Sequence, residues 1–261
     1  MRVTVLGSGG SGGVPLIGNH WGRCDPTNPK NWRRRVSVLV EAGGHTVLID
    51  TSPDYRAQLL DAGVKRVDAV LYTHDHADHV HGIDDLRFVR KSLEAPPMPA
   101  FGTAATMAAI GERFAYAFRQ VEQGSNHLYR PYLEAKPVDF GVPFVAAGLT
   151  VTAFRQEHGF GTETTGFRIG RMAYSTDVVG LPEASLALLG GLDLWIVDCL
   201  RFEPHKTHAN FDQALAWIER LRPRRAVLTH LNQSVDYDMI AGLCPPGVEP
   251  AYDGLAFEVP D

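Results

Sequence analysis

Cysteine is scarce: Cys24, Cys199 and Cys244 in 261 residues are too few and too scattered for a disulfide framework. A reducing compartment is therefore expected. No apolar stretch approaches the ~18 residues that a membrane span needs. Met1 and Arg2 lead through a short strand-like run into glycines, without the hydrophobic core of a signal peptide. These absences point to a cytoplasmic protein with no membrane partner. Positive charge is not in excess either: 25 Lys+Arg stand against 30 Asp+Glu, a formal charge of −5. That balance argues against an extended nucleic-acid partner, which needs a basic face. No internal repeat or low-complexity segment appears. What remains is ordinary globular usage, 44% hydrophobic and 21% charged, in a chain long enough to bury a core without staples.

Short β-branched runs alternate with helical stretches. Strands are expected at 3–6, 36–40, 46–49, 69–72, 150–154, 165–169, 172–174, 194–197, 226–228 and 255–259. Helices are expected at 53–61, 104–118, 182–189 and 211–221. The last carries Phe211, Leu215, Ile218 and Leu221 on one stripe, with Asn210 as its N-cap. Strands with interspersed helices imply a layered α/β (α+β) domain. Residues 95–143, bracketed by six prolines, read as an insertion or lid over the site within a single domain of residues 1–261.

The densest chemical signal is Thr73-His74-Asp75-His76-Ala77-Asp78-His79, directly after a strand. Beside two carboxylates, three imidazoles this close would repel one another when protonated, and as neutral rings they need partners if buried. A divalent cation satisfies them together. In an irregular loop, His74 and His76 can converge on one ion while Asp78 and His79 turn to another. Such a site needs further ligands, and three strands end in candidates: His158 a few residues beyond the strand at 150–154, Asp177 after 172–174, and His230 after 226–228. The carboxyl ends of strands are where layered α/β proteins gather ligands. Asp198 ends the strand at 194–197 at the same edge, where it can line the pocket or orient a ligand.

The pattern H-x-H-x-D-H, followed by a spaced His, Asp and His, resembles the metallo-β-lactamase superfamily along nearly the whole chain. The resemblance implies a four-layer αββα sandwich, with two mixed sheets face to face and helices outside. It further implies that His74, His76 and His158 hold one metal, that Asp78, His79 and His230 hold a second, and that Asp177 bridges them. Asp50 matches a strand-end acid that orients a ligating imidazole. The glycine-rich turn Gly7-Ser8-Gly9-Gly10-Ser11-Gly12-Gly13 and the segment His205-Lys206-Thr207-His208 are similar to the phosphodiesterase branch that includes phosphoribosyl cyclic phosphodiesterases. That match makes His208 a substrate-facing residue and a candidate general acid, so that His208 and Asp78 are the candidate catalytic residues. Relatives with an extra structural zinc use several cysteines after the glycine turn; with only His20, Cys24 and Asp25 here, and Gln233 at the later position, no third zinc is expected.

Two cations about 3.5–4 Å apart share a hydroxide and clamp an anionic transition state. With two aspartates and neutral imidazoles, such a centre carries roughly +1, which attracts a phosphodiester anion. Five His and two Asp suit Zn²⁺ best, with Mn²⁺ also compatible. The expected activity is hydrolysis of a small phosphodiester of cyclic ribose phosphate or nucleotide type. Thioester or lactam hydrolysis on the same centre, RNA processing as in tRNA 3′-endonuclease relatives, and a non-enzymatic metal-binding role are the alternatives. A homodimer is left open. Arg35, in the basic run Lys30-Asn31-Trp32-Arg33-Arg34-Arg35, is read as a candidate phosphate contact, and His81 as a candidate pocket residue. The literal G-x-G-x-x-G of Gly7, Gly9 and Gly12 lacks the helix a dinucleotide site requires, and fits a tight turn near the metal site better. Glu41, His45 and His127 read as surface residues.

Overall fold

The computed structural model describes residues 1–89, 95–119 and 131–260, so the surface reading of His127 lies outside the described residues. The first sheet takes β1 (Arg2–Gly7), β2 (Ser37–Ala42), β3 (His45–Ile49), β4 (Ala69–Leu71), β5 (Met98–Gly102) and β6 (Leu133–Pro137) in that order across the sheet. The second runs, in order, through β7 (Pro143–Ala146), β8 (Leu149–Glu157), β9 (Glu163–Ile169), β10 (Met172–Ser175), β11 (Leu194–Asp198), β12 (Ala226–Thr229) and β13 (Val248–Pro250). The last strand, β14 (Ala256–Glu258), returns to pair with β1, making seven strands in each sheet. Each sheet is mixed in the same way. The β1–β2–β3 and β7–β8–β9–β10 neighbours are antiparallel, whereas β3–β4–β5–β6 and β10–β11–β12–β13 are parallel.

Alternation along the strands builds the layers, because successive side chains leave opposite faces. In β3, Val47 and Ile49 point between the sheets, where Val5, Val38, Leu71, Phe167, Tyr174 and Ile196 also meet. Leu48 points the other way and packs with Tyr55, Leu59, Tyr72, Met107 and Ile110 beneath α1 (Tyr55–Asp61) and α3 (Ala104–Arg113). On the far side, Trp195 and Val197 of β11 pack with Phe211, Ala214 and Ile218 of α6 (Phe211–Leu221). Both sheets are thus covered on both faces, and the order is helix, sheet, sheet, helix. This is the αββα sandwich. Asn210 caps α6 by accepting a hydrogen bond from Gln213 N, as its sequence position suggested.

Three expectations change. The helix expected at 104–118 breaks at Phe114 (φ −118°, ψ 43°) into α3 and a short α4 (Ala115–Phe118). The segment 95–143 carries β5 and β6, strands of the first sheet, where its prolines had suggested irregular chain; Pro137 sits on the edge strand, where a missing N–H is tolerated. The ligand-rich segment is not wholly irregular, because Ala77–Val80 forms a helical turn, α2, with His76 at its N-cap. Two later elements carried little pattern: α5 (Glu183–Leu188) is shorter than expected, and α7 (Tyr237–Leu243) was not anticipated.

One packing detail is directly testable. Gly166 of β9 lies opposite Phe154 of β8, and a Cβ there would stand 2.1 Å from Phe154 Cε2. Phe154 is fully buried, so its ring has no free direction in which to retreat. Gly166→Ala is expected to lower unfolding free energy by about 1–3 kcal/mol, read from urea titration, because a filled core resists added volume.

Candidate metal centre

Most strand ends that deliver a candidate ligand belong to the parallel half of a sheet, while His158 follows β8 in the antiparallel half of the second sheet. Asp50 follows β3, the His74–His79 segment follows β4, Asp177 follows β10, and His230 follows β12. Asp50, Asp177 and His230 have left-handed backbones, with φ of 62°, 54° and 62°. Each such non-glycine residue costs about 1 kcal/mol or more. Three of them at one rim turn their side chains inward from the ends of strands, a geometry the core does not require.

The structure brings all seven expected ligands together. The donor atoms of His74, His76, His158 and Asp177 form one group within 4.8 Å of one another, and those of Asp78, His79, Asp177 and His230 form a second. Asp177 belongs to both, and its two oxygens face different ways. Oδ1 lies 3.8 Å from Nε2 of His74 and of His158. Oδ2 lies 3.2 Å from His79 Nε2 and 3.3 Å from His230 Nε2. Asp78 Oδ2 stands on the second side, 3.4 Å from His79 Nε2 and 3.8 Å from His230 Nε2. The helical turn α2 achieves this split, since it carries Asp78 and His79 away from His76 at its N-cap.

The far nitrogens are held in place. Asp50 accepts from the Thr73 N–H (2.9 Å), the Thr73 hydroxyl (2.8 Å) and His79 Nδ1–H (2.7 Å). The Thr73 hydroxyl has thereby spent its proton, so at 3.0 Å it accepts from His74 Nδ1–H. His158 Nδ1–H donates to the Thr207 carbonyl at 2.9 Å. In all three rings this leaves Nε2 as the nitrogen directed at the centre. The Nε2 atoms of His74, His79 and His230 are buried and make no hydrogen bond of acceptable geometry. Such groups are costly to bury unless a partner satisfies them. The donor set fits a pair of divalent cations.

Electrostatics differ between the two sides. Burial, reinforced by His79 and other nearby imidazoles, holds His74 well below the ordinary imidazole range, and burial lowers His158 too. On the second side burial opposes the charged form but loses to carboxylates: Asp177, Asp50 and Asp78 hold His79 well above its ordinary value. Asp177 and Asp78 likewise raise His230, to about 9, against its burial.

A third group joins Asp198, His208 and His230. Asp198 Oδ2 accepts from Val178 N–H at 2.9 Å and faces His208 Nδ1 at 3.0 Å, leaving His208 Nε2 3.8 Å from Asp177 Oδ1. The His208 ring stacks on His230 with centroids 4.7 Å apart. Asp50 therefore contacts His79, and Asp198 contacts His208. The glycine turn passes the centre as expected: a Cβ on Gly10 would touch the His230 ring at 3.4 Å. Arg35 is a correction. Its guanidinium is committed to Asp54 at 2.6 Å, and its backbone N–H also donates to that carboxylate, so it is not a free phosphate contact. His81 is exposed, edge-on to Phe114 at 5.8 Å, and makes no contact with the ligand cluster among the described residues. Glu41 and His45 are exposed. Sequence reasoning missed Thr73 and the Thr207 carbonyl. The first adjoined the motif and was within reach; a main-chain acceptor leaves no side-chain signature.

The two facing mixed sheets carry this donor cluster at one rim, mostly at the ends of parallel strands. The chain belongs to the beta-lactamase superfamily domain family, whose model matches residues 45–231. It is similar to a crystal structure described as a new diphosphatase from the PhnP family, with 34% identity, a TM-score of 0.88, and 99% of this chain and 98% of that one covered. It is 34% identical over 258 residues to an octanoyltransferase of Porphyromonas gingivalis (strain ATCC BAA-308 / W83), covering 98% of this chain but 51% of that protein. The chain thus spans about half the length of that relative. It is also 27% identical over 229 residues to a ribonuclease Z of Mycobacterium sp. (strain KMS), covering 77% of this chain and 79% of that one. Among the described residues no helix is long and apolar enough to cross a membrane.

Proposed function

We propose that the protein hydrolyses a small phosphodiester, of cyclic ribose phosphate or nucleotide type, in the cytoplasm, and that the seven clustered residues hold two divalent cations. The observation that carries this reading is the division of Asp177: one carboxylate oxygen faces His74 and His158, the other His79 and His230. Similarity to a diphosphatase and to a ribonuclease Z supports phosphorus as the reacting centre. Acyl transfer is not carried over from the octanoyltransferase, because this chain spans only half of it. Five imidazoles and two carboxylates fit Zn²⁺ best and also admit Mn²⁺. Bound there, the cations would supply Lewis acidity and activate water at neutral pH.

The chain's own residues do the rest. Asp50, Thr73 and the Thr207 carbonyl fix the tautomers and directions of His79, His74 and His158. Asp198 holds the His208 ring so that Nε2 faces the centre, where a proton at Nε2 is delivered to the departing alkoxide. The test is metal-replete protein assayed on bis-p-nitrophenyl phosphate, 2′,3′-cyclic nucleotides, a thioester and a cephalosporin. Turnover of the phosphodiesters that chelation abolishes and metal restores is expected. Turnover of only the thioester or the cephalosporin overturns the reading.

Metal uptake has a sign set by the carboxylates. Their pull keeps His79 and His230 protonated in the metal-free chain at pH 7.5, since His79 sits well above its ordinary value and His230 at about 9. A cation must displace those protons, so binding is expected to release about two of them and to strengthen as pH rises toward 9. Isothermal titration calorimetry in buffers of different ionisation enthalpy reads the count directly. No buffer dependence at pH 7.5 goes against it.

A further inference from the structure

The hairpin tip between β8 and β9 carries a feature that neither folding nor metal binding explains. Gly159, Phe160 and Gly161 all have left-handed backbones, with φ of 78°, 49° and 78°. The outer two are glycines, which adopt that conformation freely; the middle one is a phenylalanine, which does not. Its ring is also 79% exposed. The chain therefore accepts backbone strain and an unburied aromatic at one residue. Strain that the core does not use is characteristic of binding and active-site positions.

Position gives the strain its meaning. Phe160 is two residues beyond His158, whose Nε2 lies 3.8 Å from Asp177 Oδ1. Across from it, Lys206 is two residues before His208, whose Nε2 lies at the same 3.8 Å from that oxygen. The two segments are packed together: a Cβ at Gly159 would stand 2.3 Å from the Lys206 carbonyl, and the Thr207 carbonyl holds His158 Nδ1–H. The Lys206 ammonium lies 5.9 Å from the Phe160 ring centroid and is exposed. It makes no ion pair among the described residues. Two residues of chain span at most about 7 Å, so the backbones of Phe160 and Lys206 are tethered within that distance of His158 and His208, which face the proposed reacting centre.

We propose that Phe160 is a specificity-determining stacking platform, with Lys206 as its cationic flank, for a phosphodiester whose distal half is a planar nucleobase-type ring. The inference rests on the phosphodiester reading and narrows its substrate class. An exposed aromatic face takes any base by stacking, without reading hydrogen-bond patterns, so the platform selects for a planar ring and not for one base. Lys206 adds attraction for the ester's negative charge and, over the ring face, a cation–π contact.

The experiment uses the metal-loaded full chain with 2′,3′-cyclic AMP and a cyclic ribose phosphate without a base, reading KM, kcat and, by calorimetry, Kd for both. Phe160→Ala is expected to raise KM and Kd for the cyclic nucleotide about 5- to 100-fold, with kcat within about twofold, and to leave the base-free ester unchanged. Phe160→Trp is expected to restore affinity. Phe160→Gly should melt no lower than the wild type, because glycine relieves the left-handed φ, yet show the same loss of affinity. Equal losses on both esters, no loss on either, or wild-type Kd values that do not distinguish the base-bearing ester from the base-free one overturn the inference. Absence of phosphodiester turnover with base-selective binding intact counts against the function reading alone.

Discussion

Asp177→Ala is expected to lower phosphodiester turnover by about 10³-fold or more, in line with the several kcal/mol that cationic charge stabilisation contributes, and to reduce bound metal from two equivalents to at most one. No other residue of the cluster touches both donor groups. Replacing it removes the acceptor that Oδ1 presents to His74 and His158 and the one that Oδ2 presents to His79 and His230. It also removes the charge that most strongly holds His79 and His230 protonated, so the two imidazoles on the second side lose their main counterion. Asp177 is 2% exposed, and its alanine variant could be criticised as unfolded. Asp177→Asn answers that: it keeps the shape and one carbonyl oxygen, and is expected to melt close to the wild type while still losing metal. Metal analysis and circular dichroism on both variants check the outcome. Two equivalents of metal and activity within tenfold in Asp177→Ala would dismiss the shared-carboxylate arrangement.

The sequence made the ligands legible because they fall at strand ends, and strand ends are marked by the close of a β-branched run. Ala226–Leu228 stops at Thr229-His230, and Met172–Tyr174 stops at Ser175-Thr176-Asp177; both strands continue one residue further in the structure, which leaves the ligand just outside. The outer strands were harder to see. Met98–Gly102 and Leu133–Pro137 contain prolines and gain their strand character from parallel neighbours already in the sheet, a tertiary effect no local pattern carries. Arg35 misled for a related reason: in sequence it is one of three consecutive arginines, and only folding reveals that Asp54, nineteen residues on, takes its guanidinium and its backbone N–H. The support shell was half visible. Asp50 and Asp198 end strands and could be read, whereas the Thr207 carbonyl that fixes His158 is main chain.

His208→Ala should separate substrates by leaving group. On bis-p-nitrophenyl phosphate, whose nitrophenolate departs without a proton, turnover is expected to stay within about threefold of the wild type; on a cyclic nucleotide, whose leaving alkoxide needs one, it should fall by about 10²–10⁴-fold, the usual contribution of a positioned general acid. The geometry supports the split. His208 Nε2 faces Asp177 Oδ1 at 3.8 Å without belonging to either donor group around that carboxylate, so the ring stands beside the centre and not within it. Its Nδ1 is taken by Asp198, which fixes the ring plane against His230 and leaves Nε2 as the position from which a proton moves. Asp198→Asn is then expected to reproduce part of the His208→Ala pattern, since it disturbs the ring through Nδ1 while leaving the imidazole in place. A ligand role predicts something different: lost metal, and equal losses on both esters. Metal content measured beside the two rates therefore decides between an acid and a ligand. A retained metal content with a leaving-group-dependent loss fits only proton delivery by His208.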